Sequence, residues 1–124
     1  MRIDDNEFLI ELDDKKFHCA MDLTMEFIGG KWKTVVLWYL RKEKKRYNEL
    51  RKLMPQITER MLSIQLKKLE EDGLVKRQVF TDKPPLKVEY SLTDYGKTLV
   101  PVLEEIAKWG RKTAQEKGNI IKIR

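Results

Sequence analysis

Two groups of residues in this 124-residue chain could do chemistry. The first is His18-Cys19, preceded by Lys15 and Lys16. A cysteine reacts as its thiolate, and nearby positive charge and a following helix start both favour that form. Such a thiolate would attack quinones, aldehydes or hypohalous oxidants. Cys19 is the chain's single cysteine, so any disulfide must be with another chain or a small thiol. The plainer reading of Cys19 is a small packed residue, inert as most free cysteines are. His18 is the single histidine, and side chains adjacent in sequence rarely point at one another, which disfavours a catalytic dyad. The sequence shows no zinc-ligand set, Gly-rich phosphate loop or nucleophile elbow. It therefore implies no enzyme, no metal and no cofactor.

The second group recognises rather than reacts. A helix over Glu59–Asp72, capped by Thr58, buries Leu62, Leu66 and Leu69 at helical spacing. Its outer face then carries Glu59, Arg60, Ser63, Ile64 and Lys67. Arg60 suits guanine O6 and N7, Glu59 cytosine N4, and Ile64 a thymine methyl, while Ser63 serves as donor or acceptor. Lys67 suits phosphates. A plain amphipathic helix with a solvated outer face would read the same way, so the surrounding elements must decide.

Upstream, Asn48–Met54 reads as a short helix burying Leu50 and Leu53, with Asn48 as its cap and Pro55 as its stop. Pro55-Gln56-Ile57 is the right length to join two helices of a helix-turn-helix, whose second helix lies in the major groove. Downstream, Gly73 ends the recognition helix, and the pattern changes to period 2 over Leu74–Thr81 and Leu86–Leu92. The two runs predict a hairpin with a projecting Pro84-Pro85 tip, and Lys83 and Lys87 give that tip charge. A stiff cationic finger suits phosphates or the minor groove. Arg46 and Asn48 are further candidates for phosphate contact.

The flanking elements are helical. Asp22–Ile28 reads as a short helix stopped by Gly29-Gly30. Lys31–Arg41 reads as a helix with Trp32, Val35, Val36, Tyr39 and Leu40 on its buried stripe, followed by a charged turn, Arg41–Arg46. The last helix is expected from Asp94 to about Lys117, capped by Thr93 and bent at Pro101. Tyr95, Leu99, Val102, Leu103, Ile106 and Trp109 share one of its faces. That stripe is too long for a small domain to cover alone, and a second copy would bury it. Residues 1–17 read as a mobile arm or a short dimer-contacting segment, and residues 118–124 as a loosely held tail.

Composition agrees with this reading. Length fits one domain, and 41% apolar residues are enough for one modest core. The net charge is +6. Residues 1–16 carry three basic and six acidic side chains, so the remainder holds +9 and suggests a polyanion partner. No apolar run approaches a membrane span and no signal peptide is evident, so the expected location is the cytoplasm.

Several segments together resemble the HxlR-type winged-helix regulators, relatives of the MarR group. They are Gly29-Gly-Lys-Trp-Lys33, Arg46-Tyr-Asn-Glu-Leu50, Ile57-Thr-Glu-Arg-Met-Leu62, Leu66-Lys-Lys-Leu-Glu-Glu-Asp-Gly-Leu74 and Val88-Glu-Tyr-Ser-Leu-Thr93. Pro101-Val-Leu103 and Trp109-Gly110 match as well, so the likeness spans about residues 19–112. It implies a bacterial-type transcription regulator with a mainly α, winged helix-turn-helix fold at 19–117, flanked by dimerisation helices. It implies a homodimer on duplex DNA with a palindromic operator, Phe27, Leu99, Leu103, Ile106 and Trp109 serving the interface. It also places Cys19 where many members keep an N-terminal cysteine, which in some senses electrophiles or oxidants. Two departures stand out: the wing is one residue longer between its prolines and Val88, and Ile64 replaces an expected polar residue. The rival reading is a winged helix that binds a protein, which would need an exposed apolar patch on the third helix.

Overall fold

The computed structural model describes residues 2–3, 6–81 and 83–123. The chain opens with a minimal hairpin, β1 (Arg2–Ile3) and β2 (Asn6–Glu7). A second follows, β3 (Ile10–Leu12) and β4 (Lys15–Phe17), turning through Asp13 and Asp14 at positive φ. The sequence reads this stretch as a mobile arm or a short dimer-contacting segment; in the structure residues 10–17 fold back as a hairpin. Phe17 is buried, and Lys15 Nζ lies 2.8 Å from Glu26 Oε1 on the next helix.

That helix, α1 (Ala20–Ile28), ends at Gly29 as expected. Next comes α2 (Lys33–Leu40). Its fully buried residues are Val36, Leu37 and Leu40, while Trp32, Val35 and Tyr39 only flank the core. Leu37 lies outside the expected stripe because α2 is central and is enclosed on more than one side, by α3, α4 and α6. Lys45–Arg46, read as part of a charged turn, forms the short strand β5. It pairs with a strand more than forty residues away, so no local pattern announces it.

The helix-turn-helix is α3 (Tyr47–Leu53) and α4 (Glu59–Glu71). Leu50 is buried, but Leu53 is exposed, contrary to expectation. The core takes Met54 and Ile57 from the connection instead. In α4, Leu62, Leu66 and Leu69 are all buried, as their spacing requires. Gly73 follows at φ +77, the left-handed conformation that ends a helix at little cost for glycine.

The wing is β6 (Val75–Thr81) with β7 (Lys87–Leu92), antiparallel. β7 is the middle strand of a sheet ordered β5-β7-β6. Val79 pairs with Val88 and Thr81 with Lys87, so Phe80 is an extra residue, a β-bulge that re-aims its side chain.

The expected single last helix is two: α5 (Asp94–Lys97) and α6 (Val100–Lys117). The chain breaks at Thr98-Leu99 rather than bending at Pro101. Pro101 sits in the first turn of α6, where its missing N–H costs nothing. Pro101 has no N–H for the Lys97 carbonyl and its ring crowds it, so the ladder of α5 closes on i−3 bonds at Thr98 and Leu99 and a new helix begins. Gly96, in α5, is buried so close to the Leu74 carbonyl oxygen that a Cβ there would collide with it. No described helix is long and apolar enough to cross a membrane.

Candidate nucleic-acid interface

The start of α4 is fixed by hydrogen bonds. Thr58 Oγ1 accepts from Met61 N at 3.0 Å, the expected N-cap. Arg51 Nη1 donates to Ile57 O at 2.6 Å, which pins the turn. The Tyr47 hydroxyl donates to Glu59 O at 2.9 Å and accepts from Ser63 Oγ at 3.3 Å. One phenol thus ties the first residue of α3 to two successive turns of α4. Neither Tyr47 nor Arg51 stands out in the sequence, because each acts on a carbonyl of a neighbouring element.

On this fixed helix, Glu59, Arg60, Ser63 and Lys67 are exposed, and Ile64 is 46% exposed. They lie opposite the buried leucines and occupy one continuous face.

Asn48 does not cap α3. The N-cap is Arg46, and its N–H is closed by Glu49 Oε1 at 2.9 Å, three residues on. Asn48 is exposed beside it, and the two line a polar cavity of about 620 Å³ with Lys44, Lys45 and Glu89. Lys83 is exposed near the wing tip. Lys87 is also exposed, on β7, with its ammonium 3.9 Å from Glu89 Oε1.

The remaining singled-out residues are not part of the outer face of α4. Cys19 is half-buried at the N-cap of α1, and its side chain makes no capping hydrogen bond. Lys15 is turned to Glu26, whose carboxylate holds the ammonium above its ordinary pKa and is itself held low in return. The His18 N–H donates to Asp22 Oδ2 at 3.0 Å. Of the five residues assigned to a dimer interface, three pack within the chain. Leu103 is in the core, Leu99 lies against it, and Phe27 meets Tyr95 edge-on with centroids 6.3 Å apart. Ile106 and Trp109 are open, at 47% and 71% exposure. A groove of about 300 Å³ runs beside Ile106 between α2 and α6, lined by Val35, Trp38 and Tyr39.

A short helix, a pinned turn, a helix with a polar outer face and a hairpin beside it form a winged helix-turn-helix. Residues 27–118 match a family model described as HxlR-like helix-turn-helix. The chain belongs to this family. It is 52% identical over 94 residues to the HTH-type transcriptional regulator YdeP of Bacillus subtilis strain 168, covering 76% of this chain and 73% of that protein. Among solved structures it is similar to the redox regulator HypR in its oxidized form, with 46% identity and a TM-score of 0.72, over 76% of this chain and 96% of that one. It is also similar to the quinone-bound YodB of B. subtilis, with 29% identity and a TM-score of 0.62, over 74% of this chain and 96% of that one. This HxlR-like chain is a transcriptional regulator of helix-turn-helix type, not an enzyme.

Proposed function

We propose that this regulator binds a palindromic operator as a homodimer, with α4 in the major groove and the wing on the flanking backbone. The observation that carries the reading is the outer face of α4. Glu59, Arg60, Ser63, Ile64 and Lys67 stand exposed on a helix whose rotation is fixed by three buried leucines and whose N-terminal turns are held by Tyr47 and Thr58. The apolar patch that a protein-binding winged helix would need is not supported here, since only Met61 and Ile64 interrupt the polar residues. Lys83, Lys87, Arg46 and Asn48 then face phosphates on either side. Two copies paired through the outer face of α6 would set their recognition helices one DNA turn apart, about 34–36 Å.

Arg60 is the residue to test. A bidentate contact to guanine contributes roughly 1–3 kcal/mol of discrimination. Arg60→Ala should reduce binding to the operator more than binding to unrelated duplex in a competition shift assay. Equal loss on both would make Arg60 a phosphate ligand.

Regulation is read at Cys19. HypR is named a redox regulator and YodB is seen with a quinone, and Cys19, half-buried, is the N-cap of α1. Oxidant or electrophile at this thiol would then disturb the pairing of two chains. Diamide or a quinone should release the wild type from its operator and leave Cys19→Ser bound. Release of both, or of neither, would make Cys19 a packing residue.

A further inference from the structure

Beside the wing, four side chains from two strands and a turn come together outside the helix-turn-helix. Lys44 Nζ, just before β5, lies 2.9 Å from Glu89 Oε2, and Lys87 Nζ lies 3.9 Å from Glu89 Oε1. Both ammonium groups also lie over the ring of Phe80, at 5.5 and 5.4 Å from its centroid. The carboxylate is nearly covered, with a side-chain exposure of 11%, while Lys44 and Lys87 keep 62% and 45%. Phe80 itself is 46% exposed, and the bulge in β6 is what turns it here.

We propose that Lys44 and Lys87 form a clamp for the DNA sugar-phosphate backbone, and that the Glu89 carboxylate between them limits how much of their charge it meets. The inference rests on the DNA-binding reading above and extends that interface to the turn before β5. The physical reasons are three. An aromatic face and a carboxylate together hold two flexible lysines in place, which lowers the entropy lost when a phosphate arrives. The two cations share one covered anion, so the cluster keeps net positive charge toward solvent. Arg46 stands opposite Glu89 in the β5–β7 register, so the cluster adjoins Arg46 and Asn48 in one polar cleft. The other carboxylates of that cleft, Glu43 and Glu49, are taken by Lys45 and by the Arg46 N–H. Glu89 has a second consequence. Its charge partly cancels the lysines, so it restrains binding to any duplex irrespective of sequence.

The test is fluorescence anisotropy of a labelled duplex of arbitrary sequence, titrated with the full-length protein over a series of salt concentrations. Lys44→Ala should weaken binding several-fold near 0.1 M salt and flatten the log–log salt slope by about 0.9, the loss of one neutralised phosphate. Glu89→Gln, close to isosteric, should do the reverse, binding tighter at low salt with a steeper slope. In the Lys44→Ala background the Glu89→Gln gain should shrink, because the two groups are coupled. Thermal melts of each variant check the fold. An unchanged slope for Lys44→Ala, or weaker binding by folded Glu89→Gln, overturns the clamp while leaving α4 and the operator reading intact. A wild type that binds neither this duplex nor the operator overturns both.

Discussion

α4 and α6 are both amphipathic, yet they dispose of their apolar faces in opposite ways. α4 turns Leu62, Leu66 and Leu69 into the core of its own chain and leaves polar side chains outside. α6, with 18 residues, commits one side chain, Leu103, to that core and leaves Val102, Ile106 and Trp109 exposed. An apolar stripe facing water is unfavourable by roughly 25 cal/mol for each Å² left uncovered. On the function proposed above, the difference separates two tasks: a helix that reads bases is fixed in rotation by its own domain, and a helix that pairs with another copy keeps its apolar side for that copy.

The comparison breaks most sharply at α6. Replacing Ile106 and Trp109 together with glutamate should convert the expected dimer to monomer in equilibrium sedimentation, with the domain still folded. Leu103 is unsuitable for this test, because it is part of the core and its loss would unfold the chain for another reason. A dimer that survives the double change would place the interface elsewhere. In α4 the same kind of truncation acts within one chain. Leu66→Ala should cost about 2–5 kcal/mol in denaturant unfolding, and the loss should not depend on protein concentration.

A smaller effect sharpens the α4 side. Tyr47→Phe keeps the ring and removes the hydroxyl that joins Glu59 and Ser63. It should cost about 0.5–1.5 kcal/mol of stability and lower operator preference more than affinity for unrelated duplex. No change in preference would mean that Thr58 and Arg51 alone fix the helix.

The smallest effect concerns the N-terminal hairpin and its exposed Lys15–Glu26 pair. The Lys15 ammonium lowers the Glu26 pKa, so the pair's contribution is present above the usual glutamate range and fades as pH falls below it. Glu26 raises the Lys15 pKa, so the contribution is also lost as pH climbs past the usual lysine range. Hydrogen exchange of amides 10–17 should accelerate at both extremes relative to α4. Exchange that tracks α4 throughout would show that Phe17, and not the ion pair, holds the hairpin.

What could be read from sequence follows the range of the interactions involved. The α4 leucines, its Thr58 cap, the Gly73 stop and the two wing strands are set by neighbours a few residues away, and the structure has them as expected. Leu37 escaped because a helix enclosed on several sides loses its clear stripe. β5 and the Phe80 bulge escaped because each depends on a partner far along the chain, β7 and its register. The outer face of α4 was legible for the same local reason as its core, whereas Tyr47, Arg51, Lys44 and Glu89 become visible only once the strands and helices are assembled.

The break before α6 has a mechanical meaning. Thr93 Oγ1 donates to Gly73 O at 2.6 Å, Thr93 N donates to Leu74 O at 3.1 Å, and Gly96 presses on that same carbonyl. α5 is therefore bolted to the point where α4 ends and the wing begins, and α6 starts beyond it as a separate rod. At 1.5 Å per residue that rod is about 27 Å long. Leu103 anchors the first turn of that rod in the core, so the length that carries Trp109 projects from a corner shared by the end of α4 and the start of the wing.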